Sequence, residues 1–94
     1  MVYQLELRKR AIKQMQKSYD YYESKSLGLG ERFLLTVEEY FEIIKNNPKQ
    51  FQVKREEIRE AYLQKFPFII VYQIIKDTII VYSVFHTSRN PSTK

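Results

Sequence analysis

Polar and apolar residues alternate from Val2 to Leu7, with Tyr3, Leu5 and Leu7 set against Gln4 and Glu6. That period of two predicts a short strand. From Lys9 the period lengthens. Ala11, Ile12, Met15, Tyr19 and Tyr22 fall on one stripe of a helix, with Lys13, Gln14, Gln16 and Lys17 opposite. The helix should stop near Ser26, because Gly28-Leu29-Gly30 supplies the freedom for a sharp turn. A second helix is predicted from Glu31 to Lys45, with Phe33, Val37, Tyr40, Phe41 and Ile44 as its apolar stripe. Glu31 in its first turn and Lys45 in its last suit the helix dipole. Asn46-Asn47-Pro48 ends it.

Lys49 to Lys54 reads as a polar loop. Three strands follow: Ile58 to Gln64, Phe68 to Ile75 and Thr78 to Phe85, the last two near-continuous in Ile, Val, Tyr and Phe. Lys76-Asp77 is short enough for a hairpin turn. The order strand, helix, helix, three-strand meander (β-α-α-β-β-β) predicts one α+β domain over residues 1–94, with 90–94 as a frayed tail. Its architecture is a two-helix antiparallel hairpin packed on a small, mainly antiparallel sheet.

The hairpin register adds a constraint. If Ile75 faces Thr78, then Tyr72 pairs with Val81, Ile70 with Ser83 and Phe68 with Phe85. One face then holds Phe68, Ile70, Tyr72, Ile74, Ile79, Val81 and Phe85. The other holds Ile69, Val71, Gln73, Ile75, Ile80, Tyr82, Val84 and His86. Two helices cover one face only, and an antiparallel sheet with one wet face should alternate apolar and polar. This sheet reads as apolar on both, which predicts an exposed apolar groove awaiting a partner. A second layer from the loop, or a dimer, would also account for it.

Composition narrows the class. The chain has 94 residues, 44% of them hydrophobic, enough for one core. It has no Cys and one His, which excludes disulfides and thiolate metal sites and predicts no metal or cofactor. The start, Met-Val-Tyr-Gln-Leu-Glu-Leu, carries no basic leader, and no apolar run is long enough to span a membrane, so a cytoplasmic protein is expected. The formal net charge is +5, which fits an acidic or nucleic-acid partner. The charge is uneven. Arg8, Lys9, Arg10, Lys13 and Lys17 make a basic start, and Glu31, Glu38, Glu39 and Glu42 an acidic later segment.

Several stretches taken together resemble the RelE/ParE superfamily of toxins, in its ParE-like branch. They are Tyr19-Asp20-Tyr21-Tyr22, Gly28-Leu29-Gly30-Glu31-Arg32-Phe33, Asn47-Pro48, Arg59, Phe66-Pro67-Phe68-Ile69-Ile70-Val71-Tyr72 and His86-Thr87-Ser88-Arg89-Asn90-Pro91. The resemblance implies a growth-inhibiting toxin of a type II toxin–antitoxin pair, of the plasmid-stabilisation kind. A cognate antitoxin would neutralise it, as a hetero-oligomer, by laying an extended or helical segment over its surface. Ile69, Val71, Gln73, Tyr82, Val84, His86 and Arg89 are the candidate residues for holding antitoxin or target.

The superfamily divides by activity. RelE-like members cut mRNA on the ribosome, whereas ParE-like members inhibit DNA gyrase. Ribonuclease chemistry needs a base, a cation for the phosphorane and an acid. The candidates are His86, Arg89, Lys54, Arg55 and Arg59. RelE-like nucleases tend to carry Arg-Leu-Val-Tyr on the middle strand, where this chain has Ile69-Ile70-Val71-Tyr72. The Arg position is therefore Ile69, on the face expected to carry His86, and a gyrase inhibitor is the expected activity. Plainer roles compete for each candidate. His86 could bond locally at a strand end, Arg89 could tie down the C-terminus against Glu60, and Lys54-Arg55 could be a solvated loop. Arg59 could snorkel or pair with Glu38 or Glu42. The Tyr19, Tyr21, Tyr22 cluster could be helix packing.

Overall fold

The computed structural model describes residues 2–88. Five strands and two helices follow in the order β1 (Gln4–Leu7), α1 (Lys9–Lys25), α2 (Leu29–Asn46), β2 (Val53–Arg55), β3 (Ile58–Tyr62), β4 (Phe68–Ile75) and β5 (Thr78–His86). They form one sheet in the order β1-β5-β4-β3-β2, antiparallel except for the parallel pairing of β1 with β5. The α+β architecture is the one that periodicity predicts, with one strand more. β2 falls in the segment expected to be loop. It is three exposed residues at the sheet edge, paired to β3 through an irregular register.

The α1–α2 turn depends on its two glycines for different reasons. Gly28 sits at φ 85°, in the left-handed region. Gly30 is helical and buried, and lies where α1 and α2 touch. A Cβ there would come within 2.6 Å of the Tyr19 carbonyl oxygen. The Glu23 carboxylate spans the turn, accepting from Gly28 N–H at 2.8 Å and Gly30 N–H at 2.9 Å. These bonds satisfy the start of α2, which has no side-chain cap at Gly28.

The stripe on α2 packs as its spacing dictates. Phe33, Val37, Phe41 and Ile44 are buried against Phe68, Ile70, Tyr72, Ile79, Val81 and Val84 of the sheet. Tyr22, Phe33, Phe66 and Phe68 make an aromatic knot, with the Phe33 and Phe68 centroids 4.7 Å apart. On α1, Ala11 and Ser18 are buried, and Ile12 lies outside the stripe at half exposure.

The hairpin register is as expected from Ile75↔Thr78 to Tyr72↔Val81, and then slips. Val71 pairs with Ser83, Ile70 with Val84, Ile69 with Phe85 and Phe68 with His86, so Tyr82 is the extra residue of a β-bulge. A slip of one exchanges faces. Val84 therefore joins the helix-side core, fully buried, and Phe85 moves to the opposite face with Ile69 and Val71. His86 goes to the α1 side, away from Ile69. Beyond Leu7, where β1 ends, Gln14 of α1 takes over the edge of β5. Its Oε1 accepts from Val84 N–H at 2.8 Å and from the Ser83 hydroxyl at 3.0 Å.

The opposite face also departs from expectation. Ile69, Val71 and Phe85 are only 3%, 8% and 2% exposed, so the predicted open apolar groove is closed. The face is also less apolar than the sequence suggests. Amphipathic side chains spread across it: the Tyr82 hydroxyl donates to Gln73 Oε1 at 2.7 Å, and the Tyr62 hydroxyl to Glu60 Oε1 at 2.9 Å.

Tyr72, with no exposed surface, donates its hydroxyl to the Pro48 carbonyl at 2.6 Å and so fastens the segment after α2 onto the sheet. Burial pushes this phenol up to about 12, against a smaller opposing pull from the Arg59 guanidinium. Between pH 10 and that value the unfolded chain loses the Tyr72 proton and the folded chain keeps it. The stabilisation is thus complete below pH 10 and is lost as pH rises toward 12. Tyr72→Phe should cost about 1–3 kcal/mol at neutral pH by stranding the carbonyl. The gap from the parent should narrow in thermal melts between pH 10 and 12, and a gap that stayed constant would show the hydroxyl to be solvated.

Candidate functional site

The candidate residues are not gathered into one place. Three concavities divide them. Lys54 and Arg55 line a groove of about 700 Å³ on the face opposite the helices. His86 lines a second, of about 550 Å³, between α1 and the end of β5, beside Gln14, Lys17, Asp20 and Tyr21. Arg59 lines a third with Tyr3, Lys49 and Lys76. Arg89 lies outside the described residues.

Local bonds give several candidates a structural part. Arg59 donates from Nη1 to the carbonyls of Lys49 at 3.1 Å and Phe51 at 2.7 Å, so it holds the loop before β2 in place of the expected Glu38 or Glu42. His86 accepts at Nδ1 from Ser88 N–H at 3.0 Å. The neutral ring then carries its proton on Nε2, so it can donate from that atom and cannot accept a proton at Nδ1 without releasing Ser88. Its ring stands edge-on to Phe68 at 5.2 Å. Ile69 and Val71 are buried within the small cluster of the open face, Gln73 and Tyr82 bond to each other, and Val84 belongs to the helix-side core.

What the fold does assemble is a cationic groove. The β2–β3 hairpin brings Lys54 and Arg55 to one wall, and the β1–α1 junction brings Arg8 and Arg10 to it as well. Glu56 and Glu60 are the acidic residues of its lining, and Ile58, Val71 and Ser83 also contribute. Two cations lie over tyrosine rings: Arg8 at 5.9 Å from the Tyr82 centroid and Lys54 at 5.7 Å from that of Tyr62. The β2–β3 turn is tight, with Glu56 at φ 49° and Glu57 at φ 67°. Basic residues also open α1, whose first turn holds no acid and whose start at Arg8 lacks a side-chain cap. That arrangement opposes the helix dipole at a cost of about 0.3–1 kcal/mol per charge. Sequence reading finds the two basic stretches separately. Only the strand order shows that they share a groove, and Tyr62, Glu56 and Glu60 are not singled out by any motif.

No group of three or more His, Cys, Asp or Glu that could hold a metal ion occurs among the described residues. None of the described helices is long and apolar enough to cross a membrane.

Comparison with known proteins places this architecture. The P. aeruginosa chromosomal ParDE toxin–antitoxin system contains a chain similar to this one, with a TM-score of 0.77 and 14% identity over 90% of this chain and 96% of that one. The free-state E. coli toxin RelE, in a mutant form, has a TM-score of 0.69 and 18% identity over 97% and 90% of the two chains. The intact E. coli RelBE toxin–antitoxin complex gives 0.68 and 18% over 93% and 99%. At these identities the likeness is one of fold. No curated protein sequence matches the chain. The sequence model of the family described as ParE toxin of type II toxin–antitoxin system, parDE, matches residues 5–91. The chain belongs to the ParE toxin family of type II toxin–antitoxin systems.

Proposed function

We propose that this toxin acts in the cytoplasm by binding and inhibiting DNA gyrase, with no covalent chemistry of its own, and that a cognate antitoxin neutralises it. The observation that carries this reading is the dispersal of the nuclease candidates. Among the described residues, His86 lines one concavity, Lys54 and Arg55 another and Arg59 a third, so these nuclease candidates share no common centre. Ile69, at the position where RelE-like nucleases tend to place an Arg, is packed at 3% exposure. A partner antitoxin is supported by the similarity to chains of the ParDE and RelBE systems, and by the basic start of α1, which suits an acidic segment.

The test is induced expression together with purified assays. The chain should block gyrase supercoiling, and His86→Ala should arrest growth as strongly as the parent, within about twofold of the same dose. Ribosome-dependent mRNA cleavage that His86→Ala abolishes would replace this reading with the nuclease one. Absence of growth arrest with antitoxin binding intact would reduce the chain to an antitoxin-binding module.

A further inference from the structure

We infer that the solvent side of the helical hairpin is a self-association surface, on which a second copy of this chain docks about a twofold axis parallel to the helices. This rests on the fold and its surface charge, and does not depend on which cellular target the toxin inhibits.

α1 and α2 lie side by side on one face of the sheet, so their outer sides form one surface. On α1 that surface carries Lys9, Lys13 and Lys17. On α2 it carries Glu31, Leu35, Glu38 and Glu42, and all seven residues are exposed. Spacings of three and four residues align each set as one stripe along its helix. Ile12 on α1 and Leu35 on α2 add apolar area, at 51% and 55% exposure. Of the six charges, Glu42 alone is in an ion pair among the described residues, with Lys45 of its own helix at 3.7 Å. The two stripes stand on helix axes about 8–10 Å apart and do not meet within one chain.

The levels of these charges select the occupant. The backbone of α1 at Tyr19 lies against α2 at Gly30. Counted along antiparallel helices from that contact, at about 1.5 Å per residue, Lys17 is level with Glu31, Lys13 with Leu35, and Lys9 with the gap between Glu38 and Glu42, each to within a residue. A twofold axis along the helices keeps those levels and lays α1 of each copy over α2 of the other. The lysine stripe then meets the glutamate stripe twice, and Ile12 of one copy meets Leu35 of the other near the middle. A polyanion or a wholly acidic segment suits α1 but is repelled by the glutamates of α2. The occupant of the whole surface must carry both signs in this arrangement, and the chain itself does. Helices of 17 and 18 residues are about 26 Å long, and two abreast are about 20 Å wide, which gives about 500 Å² per copy. The total, about 1,000 Å², is at the threshold of a specific interface, so the dimer should be weak, reversible and sensitive to salt.

The experiment is sedimentation velocity of the purified chain from about 5 to 500 µM in about 50 mM salt. The weight-average sedimentation coefficient should rise with concentration from monomer toward dimer, and association should weaken several-fold in about 500 mM salt. Lys9→Glu with Lys13→Glu, and separately Glu38→Lys with Glu42→Lys, should each be monomeric throughout, because each brings like charges together in both halves of the interface. Mixed in equal amounts, the two double variants should associate again, since the glutamates of one then face the lysines of the other. Leu35→Ser should weaken association several-fold at either salt. Lys54→Glu, on the exposed edge strand β2, should leave it within about twofold. The proposal is overturned if the parent is monomeric at the highest concentration, which would assign this surface to an unlike protein. It is also overturned if either double variant self-associates as the parent does, or if their mixture stays monomeric although both melt within about 5 °C of the parent. Should a double variant fail to fold, Leu35→Ser decides, and self-association unchanged by it overturns the proposal.

Discussion

Gly30→Ala is expected to lower the melting temperature by roughly 8–16 °C, although alanine is the better helix former. In an exposed helix interior the exchange would stabilise by about 1 kcal/mol. Here the new methyl meets the Tyr19 carbonyl oxygen at 2.6 Å, Glu23 Oε1 at 2.9 Å and the Tyr19 ring at 3.0 Å. The ring and the carboxylate can rotate aside, but the carbonyl belongs to the backbone of α1 and moves only if the two helices separate. Overpacking of that kind costs about 1–3 kcal/mol, and displacing Glu23 also strips the N–H groups of Gly28 and Gly30 of their acceptor. The net loss is then about 2 kcal/mol, which for a domain of this size gives the stated shift. Gly28→Ala supplies the contrast. Its Cβ meets nothing within 4 Å, so its cost comes from the left-handed backbone alone, about 1–2 kcal/mol. A Gly30→Ala variant that melted higher than the parent would show that α1 and α2 are not in contact at this point.

The same turn shows what the sequence makes legible. Two glycines around Leu29 announce a reversal, and both read alike as sources of conformational freedom. Only Gly28 uses that freedom. Gly30 is required for close approach, which depends on where Tyr19 lies across the helix pair. The stripe on α2 was readable because its apolar positions recur on one side only. The β4–β5 hairpin was readable at its turn and unreadable beyond Tyr82, for the opposite reason. From Ile79 to Phe85 nearly every residue is apolar, so sliding the strand by one changes little in hydrophobicity, and nothing in the pattern locates the bulge. That slip put Val84 and His86 on the wrong face and hid the separation of His86 from Ile69. β2 escaped for a third reason. Val53-Lys54-Arg55 is short and charged, as an unprotected edge should be, and those same charges make it read as loop. The groove follows from these placements, because Lys54 and Arg55 reach Arg8 and Arg10 through the strand order.

Ile69→Arg should be the most disruptive substitution on the open face, and it separates packing from chemistry at the position where the resemblance to RelE-like nucleases fails. The residue is 3% exposed, pairs with Tyr62 and Phe85 on neighbouring strands, and shares a cluster with Val71 and Phe85. A guanidinium placed there removes apolar area worth about 1.5–3 kcal/mol and brings in a charge with no carboxylate partner in the cluster. Because this face borders solvent, the side chain can extend past Tyr62 and recover part of its hydration, which limits the loss. The expected cost is about 3 kcal/mol, read as a lower urea midpoint with an unchanged slope. Ile69→Val should cost about 1 kcal/mol, and Val53→Arg, on an exposed edge, about 0.5 kcal/mol or less. The arginine variant should gain no mRNA cleavage, since it would share its face with Lys54, over the neighbouring Tyr62 ring, while His86 would still sit on the opposite face of β5. An Ile69→Arg protein that kept its stability and cut mRNA on ribosomes would mean that this face is open and catalytically competent. It would return the chain to the nuclease reading.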